Sequence, residues 1–139
     1  MKRSGRRIPR RGRRGLTLIE ILVVVTILGL IAGIAGVAVF NALTDAQIDA
    51  TKVQIKNLAD ALELYKIKFN KYPTSAEGLV AMEKPPGGKK AVMEKIPKDA
   101  WDNEFIYVCP GSHNPNKFDI KSKGPDGAED TEDDITNWQ

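Results

Sequence analysis

Residues 16–40 read LTLIEILVVVTILGLIAGIAGVAVF, and from Ile21 to Phe40 none of the twenty residues is charged. At ~1.5 Å per residue such a run spans roughly 30 Å, the thickness of a bilayer's hydrocarbon core. Its β-branched content suits an isolated helix in water poorly. In lipid, however, every backbone group must bond within the segment, and a single span achieves that only as a helix. The stretch therefore predicts a transmembrane helix over residues 16–40. In a chain of 139 residues it leaves only about 100 for a water-exposed fold, which allows one small domain and excludes a multidomain enzyme.

Residues 1–15 carry eight basic groups (Lys2, Arg3, Arg6, Arg7, Arg10, Arg11, Arg13, Arg14) and no acid. With Gly-rich spacing and no apolar periodicity, they have the composition of a targeting leader rather than of folded structure. The formal net charge is +3, but with those eight of the 21 basic residues set aside, 13 remain against 18 acids, a net of −5. Phosphate would repel that remainder, so nucleic-acid binding is not expected despite a pI near 9.0. The basic excess lies wholly before the span. By the positive-inside rule the N-terminus stays in the cytoplasm and residues 41–139 cross the membrane.

The helical pattern continues past the span, with Ile48, Ile55, Leu58, Leu62, Tyr65 and Phe69 recurring on one face. Asp45, Asp49, Lys52, Lys56, Asp60 and Glu63 occupy the other, so the outer half is amphipathic and its stripe needs cover. The pattern predicts one continuous helix from Leu16 to Phe69, ended by Pro73. Thr74-Ser75-Ala76-Glu77 reads as a capping box opening a short helix through about Met82. Two β-rich runs, Phe105 to Cys109 and Lys117 to Ser122, flank the turn-forming stretch from Pro110 to Asn116 and read as an antiparallel hairpin. Phe118 and Ile120 alternate with Asp119 and Lys121, which predicts one buried and one wet face, the buried one set against the helix stripe. From Gly124 to Gln139 no usable period is present.

The junction Gly15-Leu16-Thr17-Leu18-Ile19-Glu20 resembles that of the type IV pilin and pseudopilin superfamily, whose precursors have a basic leader ending in Gly before an aromatic-Thr-Leu-Ile-Glu start. The resemblance implies that a prepilin peptidase cuts between Gly15 and Leu16 and methylates the new amine. Leu16 stands where the superfamily usually has Phe, and Val37 where many relatives carry a kinking Pro. Apart from any family, an acid such as Glu20 in a membrane segment costs roughly 2.5 to 3.5 kcal/mol, less near the interface. A partner is therefore expected, and a neighbouring subunit's terminal amine is the candidate; the plain alternative is a solvated or protonated acid near the headgroups. The small residues Gly29 and Gly33 permit close helix approach but prove nothing alone.

Between Asp126 and Asp134, six carboxylates occupy nine residues. Such a segment either stays solvated or folds around a cation. It fails the EF-hand pattern, with Thr131 at the position of the loop's Gly and no Glu at the twelfth place. Composition leaves both readings open; a metal here, with hard oxygens and no His or Cys, would be Ca²⁺. Cys109 is the single cysteine and closes no intrachain disulfide, while His113 reads as turn filler, Cys109 as a buried strand residue, and Trp101 and Trp138 as packing aromatics. Neither Cys109 nor His113 has an assembled partner set, so no enzyme is expected.

Three further segments narrow the resemblance: Lys98-Asp99-Ala100-Trp101-Asp102-Asn103, Ser122-Lys123-Gly124-Pro125-Asp126-Gly127, and Thr131-Glu132-Asp133-Asp134-Ile135-Thr136-Asn137-Trp138. With the Tyr72-Pro73-Thr74 helix end they are similar to the major pseudopilins of type II secretion, the general secretion pathway protein G family, although Asp102 replaces the usual Gly. That resemblance implies an α+β fold: a long N-terminal helix packed on a small antiparallel sheet, with a calcium-binding C-terminal loop. Its implied calcium ligands are the side chains of Asp126, Asp133 and Asp134, with the backbone carbonyls of Lys123 and Thr131 nearby. It further implies a homo-oligomeric helical filament in the periplasm, acting as a piston or screw that drives folded proteins through an outer-membrane channel. The implied partners are minor pseudopilins, prepilin peptidase, the bacterial inner membrane, and an inner-membrane assembly platform with a cytoplasmic ATPase.

Other readings remain within reach of the sequence. Within the superfamily these are an ordinary type IV pilin or a minor pseudopilin; outside polymers, a membrane-anchored calcium-binding domain. Arg13-Arg14 before an apolar run resembles a twin-arginine export signal, and Gly36-Val37-Ala38 offers small residues for a signal peptidase. Against cleavable export, the uncharged core exceeds the usual apolar length of such signals, and Glu20 falls in its first turn.

Overall fold

The structure is a computed structural model and describes residues 15–138. The leader assigned to residues 1–15 thus lies, apart from Gly15, outside the described residues. The chain divides into two compact units between Val39 and Phe40. Helix α1, Leu18–Phe69, is 52 residues long and begins two residues later than the sequence pattern suggests. In the first unit every described side chain is exposed.

The second unit contains the remainder of α1, a short helix α2 (Val80–Glu83), a 3-10 turn at Pro86–Gly88, and strands β1 (Ile106–Val108), β2 (Asp119–Ser122) and β3 (Ile135–Thr136). The strands form one antiparallel sheet in the order β1-β2-β3, with Tyr107 opposite Ile120 and Ser122 opposite Ile135. The helix stripe is covered as its spacing requires. Ile55, Leu58, Leu62 and Tyr65 are each exposed by 3% or less and share one core with Leu79, Met82, Phe105, Tyr107, Phe118, Ile120 and Ile135. Ile48 and Phe69 pack at its margin, Phe69 stacked on Tyr65 with ring centroids 4.3 Å apart. At the sheet's edge Tyr72 donates to Glu63 Oε1 at 2.9 Å, and Lys117 Nζ lies 3.0 Å from the same oxygen. The Lys117 hydrogen bond holds the Glu63 carboxyl below its ordinary value, and burial pushes the Tyr72 phenol up to about 12.

Several expectations are corrected. Pro73 does not end α1; Asn70 does, in the left-handed region at φ 59°, its N–H donating to the Lys66 carbonyl at 2.7 Å. Asn tolerates that conformation because its short polar side chain compensates locally. Pro73 is instead buried, and its carbonyl accepts the Tyr107 hydroxyl at 2.8 Å. The Thr74–Glu77 box forms, with the Thr74 N–H to Glu77 Oε2 at 2.8 Å and the Glu77 N–H to Thr74 Oγ1 at 3.2 Å. It caps only a turn, because Gly78 at φ 62° breaks the helical path before α2 begins at Val80. The segment after Gly124, without period in the sequence, supplies β3. Asn137 prolongs that pairing: its N–H donates to the Ile120 carbonyl at 3.1 Å and its Oδ1 accepts the Ile120 N–H at 2.9 Å.

The alternation along β2 also fails on its wet face, where the Lys121 side chain is only 14% exposed. Asp119, expected on the wet face, is only 6% exposed. Its carboxylate gathers the connecting loop, accepting the N–H of His113 at 2.8 Å, the N–H of Asn114 at 3.1 Å and the Asn114 amide at 3.0 Å. A Cβ at Gly111 would run into that carboxylate, so the loop closes only around a residue without a side chain. His113 is therefore more than turn filler, since Nδ1 lies 3.3 Å from Asp119 Oδ2 and the ring stacks on Trp138 at 4.0 Å. Cys109, half-buried just past β1 rather than within it, exchanges hydrogen bonds with Ser75 Oγ through its N–H and carbonyl.

Two outcomes are expected. Leu62→Ala should lose about 2 to 5 kcal/mol of stability by emptying a core position, whereas Ile67→Ala, at a residue 80% exposed, should stay within about 0.5 kcal/mol; denaturant melts of the full chain in detergent check both. Burial pushes the Asp119 carboxyl up, but the donors of His113 and Asn114 outweigh it and hold it below its ordinary value. A carboxyl depressed in the fold contributes stability above its unfolded pKa, about 3.9, and loses it as pH falls through the folded pKa. The melting-temperature gap between wild type and Asp119→Asn should therefore be widest near neutrality and shrink below about pH 4; a gap constant down to acid pH would remove Asp119 as the loop's organising charge.

Candidate functional site

Gly15, Leu16 and Thr17 precede α1 and are exposed. Thr17 Oγ1 accepts the Glu20 N–H at 3.3 Å, and Glu20 Oε2 accepts the Thr17 N–H at 3.4 Å. This reciprocal pair is a capping box, and an acid in the first turn also suits the helix dipole. The Glu20 carboxylate thus has a local role in addition to any partner in another subunit. The Thr-x-x-Glu spacing of residues 17–20 was the signal for it.

The second candidate region is the loop of residues 123–134 between β2 and β3. Its ends meet at Gly124, whose φ is 64° and where a Cβ would collide with the Asp133 carbonyl. Ser122 anchors the entry, donating its hydroxyl to Asp99 Oδ2 at 2.6 Å and accepting the Gly124 N–H at 3.2 Å. Asp99, itself buried, takes the N–H groups of Trp101 at 3.0 Å and Asn103 at 2.8 Å on its other oxygen. The segments 98–103 and 122–127 are therefore bonded to each other through a buried carboxylate that carries no implied ligand role.

Of the implied calcium ligands, Asp126 is exposed and its Oδ1 accepts the Ala128 N–H at 2.9 Å, and Asp133 is exposed as well. Asp134 is 8% exposed; its Oδ2 accepts the Asp130 N–H at 2.9 Å, and its own N–H donates to the Thr131 carbonyl at 3.3 Å. Among the described residues no three of His, Cys, Asp and Glu form a metal-binding group. The donor set of carboxylates and carbonyls suits a hard cation such as Ca²⁺ in chemistry, and the contact at Gly124 brings the two ends of the loop together. What lies against Asp134 is the ammonium of Lys121, 3.4 Å from Oδ2 and 2.7 Å from Asp130 Oδ1. The hydrogen bond to Asp130 raises the Lys121 pKa against the opposing effect of burial, and the same contact lowers that of Asp130. Lys123 Nζ makes a second pair with Glu129 at 2.9 Å. In the sequence the density of acids singles out the carboxylates, whereas Lys121 reads only as the polar member of an alternating strand.

Residues 38–138 match the family described as "Type II secretion system (T2SS), protein G", and residues 10–36 match the "Prokaryotic N-terminal methylation motif". The type II secretion system core protein G of Pseudomonas aeruginosa is 39% identical over 142 residues, an alignment covering 94% of this chain and 99% of that protein. The core protein G of Escherichia coli K12 is 38% identical over 89 residues, 58% of this chain; the match spans 60% of that relative's own length. Among solved structures, the major pseudopilin from the type 2 secretion system of enterohaemorrhagic Escherichia coli superposes with a TM-score of 0.61 at 29% identity, covering 71% of this chain and 92% of that one. A shared fold, a methylation motif over the start of the apolar helix and a family match across nearly all of the second unit lead to one assignment: this chain belongs to the type II secretion system protein G family, the major pseudopilins.

Proposed function

We propose that this chain is the building subunit of the type II secretion pseudopilus, a homo-oligomeric filament that forms in the periplasm and drives folded proteins across the outer membrane. The observation that carries the reading is the first unit. Its apolar helix, long enough to cross a membrane, leaves none of its most apolar window buried within the chain, and a methylation motif overlies its start. An apolar surface of that extent needs lipid or other copies of itself around it. The helix serves as anchor in the inner membrane first and as polymer core second, once subunits leave the bilayer. A heterologous contact that repeats without closing yields a helical filament rather than a ring.

In this reading prepilin peptidase removes residues 1–15 and methylates Leu16. The basic leader holds the N-terminus in the cytoplasm and sends residues 41–139 into the periplasm. The inner-membrane platform and its cytoplasmic ATPase supply the energy, and minor pseudopilins complete the filament. The C-terminal loop takes up Ca²⁺ through Asp126, Asp133 and Asp134, with the Lys123 and Thr131 carbonyls; bound there, the ion neutralises crowded carboxylates and stiffens the tail. The role is structural, as befits a family of apparatus subunits rather than enzymes.

Mass spectrometry of the purified protein should find a methylated chain beginning at Leu16, and Gly15→Val should leave an uncut precursor. A mature start near Val39 would favour export and release instead. For assembly, Glu20→Leu should still insert, relieved of roughly 2.5 to 3.5 kcal/mol of burial cost, while filaments and secretion fail. Because that change also removes the acceptor of the Thr17 N–H, one half of the capping box, Glu20→Gln is the sharper variant: it keeps an acceptor for the Thr17 N–H and loses only the charge. Normal filaments from Glu20→Gln would show that the charge plays no part in assembly.

A further inference from the structure

We propose that the ammonium group of Lys121 is a built-in counter-cation of the acidic loop, holding residues 123–134 closed without a divalent ion and moving aside when calcium binds. The first half stands on the geometry alone; the second rests on the calcium reading above. Lys121, Asp130 and Asp134 form a closed ring of contacts. The lysine Nζ reaches Asp130 Oδ1 at 2.7 Å and Asp134 Oδ2 at 3.4 Å, and the Asp130 N–H returns to Asp134 Oδ2 at 2.9 Å. Exposed ion pairs contribute little, and Asp130, with 89% of its side chain exposed, would by itself form such a pair. Lys121 and Asp134 differ: their side chains are 14% and 9% exposed, so the charges face each other with little water between them.

Position explains why this lysine can act on the whole loop. It lies in β2 opposite Thr136 of β3, while Asp134 immediately precedes β3. A bond from Lys121 to Asp134 therefore fixes the loop's exit to its entry strand, on top of the contact between Gly124 and the Asp133 carbonyl. The Asp134 carboxylate is also one of the proposed calcium ligands. A divalent cation and an ammonium on the same carboxylate repel each other, so calcium entering at Asp134 displaces Lys121. Its compact charge on a flexible four-carbon stem lets it move toward solvent without disturbing the sheet. The lysine thus sets how tightly calcium is held and keeps the tail ordered when calcium is scarce.

The test uses the full-length protein in a non-ionic detergent, as wild type, Lys121→Gln, Lys121→Arg and Asp130→Asn. The last change lies at an exposed left-handed position, φ 64°, which Asn tolerates, so it leaves the fold intact. In chelator, protease should cut residues 123–134 markedly faster in Lys121→Gln than in wild type, with Lys121→Arg retaining protection and Asp130→Asn, which loses only the exposed pair, staying close to wild type. Equal cleavage rates in wild type and Lys121→Gln would overturn the closure. In a calcium titration by calorimetry, Lys121→Gln should bind roughly three- to tenfold more tightly than wild type, having no ammonium to expel. Unchanged affinity would overturn the exchange and leave the calcium reading standing. If no variant binds calcium, the calcium reading falls and the exchange with it, while the chelator arm still decides the closure.

Discussion

An apolar stripe on a long helix must be covered, and the second unit is organised around meeting that demand. Ile55, Leu58, Leu62 and Tyr65 bury almost completely. Three short strands, none longer than four residues, provide the cover. So small a sheet has little independent stability; it persists because Tyr107, Phe118, Ile120 and Ile135 share one core with the helix. Fully burying side chains of this size is worth roughly 1.5 to 3 kcal/mol each before the entropy of ordering is subtracted.

What the strands lack in length, buried carboxylates supply in connection. Asp99 joins the turn at residues 99–103 to the end of β2 through Ser122, and Asp119 holds the hairpin's connecting loop by its backbone N–H groups. Each sits where loop N–H groups have no strand partner, so each satisfies donors whose burial would otherwise cost free energy. A chain with a single cysteine has no disulfide to do this. These acids are fully engaged in structure and are distinct from the carboxylates of the C-terminal loop.

That loop presents the opposite problem, too many like charges in one place. Two lysines from the β2 end, Lys121 and Lys123, reach Asp130, Asp134 and Glu129, so part of the repulsion is offset within the chain. Family membership brings calcium into the same loop as a proposal, and the two cations then compete for one carboxylate. Assembly in the first unit follows a related logic. Glu20 is used locally to cap α1, and the same carboxylate is available at the surface from which subunits would build a filament.

The elements governed by local rules were legible in the residues themselves. The Gly15–Glu20 junction carried the likeness to the superfamily, and residues 98–103, 122–127 and 131–138 the likeness to the branch within it; a charge-free run of membrane length, a 3.6-residue stripe and turn-rich punctuation between two β-rich runs led to the helix and the hairpin. Each is a pattern whose physical meaning does not depend on what lies far away. Tertiary structure alone decided the rest. Ile135 and Thr136 became a strand because β2 offered an unpaired edge, and nothing in their own neighbourhood announces it. Asp119 broke the alternation because a loop folded back over it with donors to satisfy. Asn70 rather than Pro73 stopped α1, because Asn70 takes the left-handed conformation at φ 59° and closes the last turn three residues before the proline. Lys121 gained its meaning only when the acids nine and thirteen residues later came within reach of its ammonium, a meeting set by the β2–β3 register rather than by any spacing along the chain.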